Sequence, residues 1–88
     1  MSGAELERWL VAHVAELLEI PPDRVNVEAP FSTFGLDSAS AASLSVDVEN
    51  LLGVQVDPMD LYDYPTIRRF VRYLEGLGAL SPTPPDPP

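Results

Sequence analysis

Apolar side chains recur at helical spacing through the first twenty residues. Ser2 followed three residues later by Glu5 fits a capping box, and Pro21 with Pro22 stops the pattern. The apolar positions are Leu6, Trp9, Leu10, Val14, Leu17 and Leu18. We therefore predict a first helix over residues 3–20.

Residues 21–37 show no sustained helical or strand period, which predicts a long loop. Loops longer than about 12–15 residues are uncommon in compact domains, and they tend to be functional or pinned by their own side chains. The candidate pins are Val25, Val27, Phe31, Phe34 and Leu36. We expect this loop to be packed against the rest of the chain.

A second helix is predicted over residues 38–52, with Asp37 as its N-cap and Gly53 as its C-cap. Its core stripe should contain Ala41, Leu44, Ser45, Val48, Leu51 and Leu52. Val46 falls off this stripe and aligns instead with Ser38 and Ala42. An exposed apolar strip flanked by Asp47 and Glu49 is more typical of a docking surface than of a core, although single exposed valines are common.

The last third of the chain predicts a short helical turn over residues 58–62 and a final helix that ends at Gly78. Thr66 is its N-cap, and its apolar positions are Ile67, Phe70, Val71, Leu74 and Leu77. The sum is an all-α fold, a small four-helix bundle of three main helices and one short helix with a long first loop. We expect residues 1–78 to form one domain and the proline-rich residues 79–88 to form a tail or linker.

Composition and charge narrow the function classes. The chain has 88 residues, a formal net charge of −9, no cysteine and five basic residues, all arginine. The charge argues against nucleic acid and anionic membranes and favours basic protein partners. With no long apolar run and no secretion signal, we expect a cytoplasmic protein. We also expect it to be a monomer.

Catalytic groups are scarce. His13 is the single histidine, so a metal site is improbable and a surface or boundary position is expected for it. No sequence motif for a nucleophile, metal or phosphate-cradling loop is present, and Asp60 and Asp63 are more typical of solvated charge or turn formers than of an acid–base pair. The chain is therefore not expected to be an enzyme in its own right.

The stretch G-L-D-S, residues 35–38, resembles the attachment motif of acyl carrier proteins and of polyketide synthase carrier domains. The resemblance extends over about residues 4–77, because the helix lengths, the long loop and the Y-P-T-I entry to the last helix agree with that family. It implies that Ser38, beside Asp37, receives a 4′-phosphopantetheine arm from coenzyme A. The arm would then carry acyl groups as thioesters. The alternative for Ser38 is a plain helix cap.

By the same resemblance, a phosphopantetheinyl transferase modifies the chain, an acyl-loading enzyme such as a fatty acyl-AMP ligase or acyltransferase charges it, and a ketosynthase or other synthase domain receives the cargo. The positions that match the family's partner-binding face are Leu36, Asp37, Ala39, Ala42, Ser43, Val46, Glu49 and Asn50. Ala39 and Ser43 depart from the commonest pattern, which favours a dedicated set of partners.

The subtype rests on Asp37, since aspartate before the serine resembles acyl rather than peptidyl carriers. Polyketide or fatty-acid-type cargo is therefore the preferred interpretation. A peptidyl or aminoacyl carrier of a nonribosomal peptide pathway, and a helical interaction module without a prosthetic group, stay open as alternatives.

Overall fold

The computed structural model describes residues 1–80, which form four helices and no strand, as predicted. The first helix, α1, spans Gly3–Leu18. Ser2 is confirmed as its N-cap, because the Glu5 amide donates to Ser2 Oγ over 3.2 Å. The second half of the predicted capping box differs, since the Glu5 carboxylate accepts from the Ser2 hydroxyl and not from the Ser2 backbone amide. The predicted end at Ile20 was wrong by two residues. Glu19 adopts a left-handed conformation with φ 55°, which stops the helix before the prolines are reached.

The loop after α1 is packed, as the sequence predicted. It contains two short 3₁₀ turns, Pro22–Arg24 and Phe31–Phe34. Of the predicted pins, Val25 and Phe31 are buried, while Val27, Phe34 and Leu36 are partly buried against the core. Two backbone hydrogen bonds tie this loop to the start of the last helix, from the Phe31 amide to the Pro65 carbonyl over 2.8 Å and from the Arg68 amide to the Val27 carbonyl over 3.0 Å.

The second helix, α2, spans Ser38–Leu52, in agreement with the prediction. Asp37 is its N-cap, and Gly53 ends it with φ 70°, a conformation that glycine adopts without strain. Its buried residues are Ala41, Leu44, Ser45 and Val48. Leu51 was predicted to join them but is 37% exposed, because it lies at the edge of the stripe in the last turn.

The short helix, α3, spans Asp60–Asp63, two residues later than the predicted turn at its N-terminal end. The reason is that the Asp57 carboxylate accepts the Met59 amide over 2.8 Å, which forms a separate turn around Pro58. Leu61 is the buried residue of α3.

The last helix, α4, spans Ile67–Gly76 and begins at the predicted cap, where Thr66 Oγ1 accepts the Arg69 amide over 3.1 Å. It ends two residues before the predicted Gly78. Leu77, predicted as a core position, is 59% exposed, and Leu80 is buried in its place. Packing thus continues two residues past the predicted domain boundary at residue 78, and the rest of the predicted tail lies outside the described residues.

The core lies mainly between α1 and α4, the pair of helices in closest contact. Its fully buried large side chains include Leu6, Leu10, Leu44, Phe70 and Leu74. Burial of each such side chain contributes about 1.5–3 kcal/mol.

Polar and aromatic contacts join the helices around this core. His13 on α1 lies at the boundary predicted for it: its ring stacks on Trp9 with centroids 4.4 Å apart, and its Nε2 lies 2.6 Å from the Asp47 carboxylate on α2. On α4, Tyr73 stacks on Tyr64 at 4.1 Å. Burial, with the nearby Asp60 charge second, raises the pKa of Tyr73.

None of the helices in residues 1–80 is long and apolar enough to cross a membrane. In the same part of the chain, no group of histidine and carboxylate side chains could hold a metal ion.

Two leucines at the end of α4 allow a matched test of this packing. Leu74→Ala should lower the free energy of unfolding by about 2–5 kcal/mol, because it leaves a cavity in the core. Leu77→Ala should change it by less than about 0.5 kcal/mol, since Leu77 is mostly exposed. Urea denaturation followed by circular dichroism would measure both, and equal losses would contradict the difference in burial between the two leucines.

Candidate functional site

The chain enters α2 through a sharp turn that presents Ser38. Gly35 ends the Phe31–Phe34 turn with φ 84°, which a residue with a side chain rarely adopts. Asp37 is then extended, and Ser38 is the first residue of α2. The tethered loop thus delivers Ser38 to the exposed end of the helix.

Asp37, and not Ser38, caps α2. The Asp37 carboxylate accepts the Ser40 amide over 2.8 Å. The hydrogen bonds from Ser40 hold the pKa of Asp37 below its ordinary value. Among residues 1–80, the Ser38 hydroxyl has no hydrogen-bond partner, and its side chain is exposed. Capping therefore accounts for Asp37 and leaves the serine unexplained.

The surroundings of Ser38 fit a phosphodiester on its oxygen. The N-terminus of a helix of this length carries partial positive charge and free N–H groups, which stabilise a phosphate. The neighbours Ala39 and Ala42 are small and exposed, so they leave the hydroxyl accessible to an enzyme.

A small cleft of about 110 Å³ opens beside the first turn of α2. Leu36 and Ala41, on either side of Ser38 in sequence, form part of its wall, and Leu61 and Tyr62 of α3 form another part. The walls are mostly apolar, so the cleft offers apolar surface close to the serine.

The structure brings most of the predicted partner-binding residues to one exposed face of α2. Its exposed members are Ala39, Ala42, Ser43, Val46 and Asn50. Val46 is 51% exposed, as its position off the core stripe predicted. Leu36 is half-buried and faces the cleft.

The acids beside this face are less available than the sequence suggested. The Asp47 carboxylate contacts His13, and Glu49 Oε1 accepts the Val56 amide over 2.8 Å. Both carboxylates that flank the exposed strip are thus held by contacts within the fold, so they are less free to turn toward a partner than the sequence suggested. Sequence reasoning also missed two exposed apolar side chains, Tyr62, which lines the cleft, and Met59, which lies three residues before it. The short segment between prolines carries no periodic signal that could have revealed them.

Comparison with known proteins identifies the family. A family model described as "Phosphopantetheine attachment site" matches residues 8–74. The chain therefore belongs to this family of carrier domains, which hold a covalently attached 4′-phosphopantetheine and carry substrates rather than catalyse reactions.

Individual relatives include acyl and peptidyl carriers. The chain is 32% identical over 81 residues to a phenolphthiocerol/phthiocerol polyketide synthase from Mycobacterium tuberculosis, covering 92% of this chain and 4% of that one. It is 30% identical over 56 residues to acyl carrier protein TtuC from Teredinibacter turnerae, covering 64% of each. The solved free-standing peptidyl carrier protein from Acinetobacter baumannii superposes with a TM-score of 0.82 and 32% identity, covering 86% of this chain and 95% of that one.

The cap at Asp37 gives a pH-dependent prediction. A lowered folded-state pKa stabilises the fold fully above the unfolded pKa of about 3.9, and this stabilisation is lost as pH falls through the folded-state value. Asp37→Asn keeps a capping oxygen but removes the charge, so its melting temperature should converge with that of the wild type as pH falls from ~7 to ~2. Asp37→Ala should melt a few degrees lower than both at neutral pH. Thermal melts across this range would show a constant gap between wild type and Asp37→Asn if the charge played no part.

Proposed function

We propose that the chain carries acyl intermediates as thioesters on a 4′-phosphopantetheine arm attached to Ser38, and passes them between enzymes of polyketide or fatty-acid-type biosynthesis. The observation that carries this proposal is the exposed Ser38 hydroxyl, which has no hydrogen-bond partner in residues 1–80 and begins a helix whose cap is already supplied by Asp37.

Attachment is a phosphoryl transfer from coenzyme A. The Ser38 oxygen attacks the phosphorus that bears pantetheine, a new P–O bond forms, and the pyrophosphate bond breaks to release adenosine 3′,5′-bisphosphate. We propose that the serine proton passes to a base on the phosphopantetheinyl transferase, since no histidine or carboxylate contacts the Ser38 hydroxyl within residues 1–80. The arm supplies a terminal thiol, which a chain without cysteine lacks.

The relatives support an acyl cargo without excluding a peptidyl one. They include a polyketide synthase and an acyl carrier protein. The likeness to a free-standing peptidyl carrier protein favours the second candidate, an aminoacyl or peptidyl carrier of a nonribosomal peptide pathway. We prefer the acyl assignment because Asp37 precedes the serine.

The partners that follow from this function are a transferase, an acyl-loading enzyme and a ketosynthase or similar domain. We propose that they bind the exposed face of α2 around Ser38, Ala42 and Val46, where small side chains leave the backbone accessible. A fatty acyl-AMP ligase or an acyltransferase would load the arm. The chain spans only a few per cent of the length of the polyketide synthase that it matches, so that enzyme's pathway is no guide to the cargo of this chain.

Modification at Ser38 is directly testable. Incubation with coenzyme A and a broad-specificity phosphopantetheinyl transferase should add the mass of one phosphopantetheine to the wild type. Ser38→Ala should abolish this gain, while Thr33→Ala, which removes another exposed hydroxyl outside the α2 face, should retain it. Mass spectrometry measures the products, and circular dichroism checks the fold. An unmodified wild type, or modification of Ser38→Ala, would contradict the proposal.

The α2 face can be tested separately once the arm is attached. Val46→Asp should lower kcat/KM for acyl transfer from a loading enzyme roughly tenfold, because it places a charge in an apolar contact. Ala12→Asp is the matched control, since Ala12 is an exposed position within α1. Unchanged transfer to the Val46 variant, or an equal loss in both, would show that Val46 is ordinary surface.

A further inference from the structure

A groove of about 440 Å³ runs along the first two turns of α4. Three of the chain's five arginines face it, namely Arg68, Arg69 and Arg72. The remaining wall is formed by Glu28, Pro30, Pro65 and Thr66. The groove is therefore locally rich in positive charge, although the chain as a whole has a net charge of −9.

The first arginine of the groove is already paired. Arg68 donates to Glu28 over 2.7 Å and to Glu7 over 3.2 Å. These carboxylates, with Glu7 the stronger influence, raise the pKa of Arg68. Arg68 therefore joins α4 to α1 and to the loop and leaves little charge for a ligand.

The other two arginines are unpaired. Arg69 and Arg72 are exposed, and within residues 1–80 neither side chain has a hydrogen bond or an ion pair, although the sequence holds fourteen acids. Three residues apart on a helix, they lie on one face. Each guanidinium presents a planar set of donors that matches a carboxylate.

The base of the groove is held by backbone contacts. Pro30 and Thr66 form an isolated antiparallel bridge, and the Phe31 amide donates to the Pro65 carbonyl. Thr66 in turn caps α4. The two prolines thus present a fixed apolar surface beside the guanidinium groups of Arg69 and Arg72. Because this surface is already ordered, less conformational entropy is lost when a ligand binds to it.

We propose that this arginine groove binds an acidic segment of a partner protein. Carboxylates of the segment pair with Arg69 and Arg72, and its apolar atoms lie on Pro30 and Pro65. The volume falls within the range of about 300–1,000 Å³ that holds ligands larger than a simple anion. A second copy of the chain is disfavoured by repulsion between two charges of −9, and nucleic acid by the same net charge.

The groove adjoins the cleft near Ser38, since Pro30 and Pro65 line both. A partner bound in the groove would therefore lie next to the cleft near Ser38. The positive charges of Arg69 and Arg72 would recognise it, although the chain as a whole is negative. The proposal does not depend on modification of Ser38, so it can be tested on the unmodified protein.

The test uses the full chain and a fluorescein-labelled, glutamate-rich peptide at low salt, with a glutamine peptide of equal length as control. We expect saturable binding of the glutamate peptide that weakens as salt is added. The double variant Arg69→Gln with Arg72→Gln should weaken it about tenfold. Arg8→Gln with Arg24→Gln removes the same charge outside the groove and should leave the affinity within about twofold.

Amide shift mapping by NMR should place the peptide on residues 65–72. Equal losses in the two double variants, equal binding of the glutamine peptide, or shifts centred elsewhere would overturn the proposal. So would displacement of the peptide by sulfate at the peptide's own concentration, which would indicate a simple anion site. If the glutamine variant fails to fold by circular dichroism, Arg69→Lys with Arg72→Lys should still weaken binding, because lysine lacks the planar set of donors.

Discussion

The hydrogen bond from the Phe31 amide to the Pro65 carbonyl is the constraint on which the candidate site at Ser38 depends. It holds a long loop against the start of α4 while the Phe31 ring is buried in the core. From that fixed point, only the Gly35 turn and Leu36 separate the loop from the Asp37 cap. The position of Ser38 therefore follows from a long-range backbone contact as much as from its own helix. The same contact forms the base of the arginine groove.

The net charge of the chain does not by itself describe the surface of this domain, because several charged side chains pair with one another within the fold. Four acids have a partner within the fold. Arg68 pairs with Glu7 and Glu28, His13 contacts Asp47, and the Val56 amide donates to Glu49. On α2, the paired residues Asp47 and Glu49 flank an exposed strip of small and apolar residues around Val46. Within residues 1–80, Arg69 and Arg72 of α4 have no partner, so the two surfaces that we propose for partners differ in character.

Local signals in the sequence predicted the elements, and long-range contacts decided their ends. Both ends of α2 were correct, because Asp37 and Gly53 act through their own backbone conformations. The ends of α1 and α4 were each placed two residues too late, since Ile20 and Leu77 are apolar but follow the point where the chain turns away. Leu80 is buried in the core in place of Leu77, because tertiary packing and not helical spacing determines which leucine is covered.

At the candidate site too, local sequence signals predicted some features, and long-range contacts determined the others. The motif around Ser38 pointed to the serine from sequence, whereas the freedom of its hydroxyl is visible only once Asp37 is seen to cap the helix. The pairing of Asp47 with His13 and of Arg68 with Glu7 joins residues 34 and 61 positions apart, and no local pattern encodes such contacts. The arginine groove likewise needs the loop and α4 to be brought together.

The stack of Trp9 on His13 has a practical consequence for the study of this domain. Trp9 is the chain's single tryptophan, and its ring lies against the histidine that links α1 to Asp47 of α2. Its intrinsic fluorescence consequently reports on one defined place, the contact between these two helices, without any added label. Separation of α1 from α2 can thus be followed optically while circular dichroism follows the helices themselves.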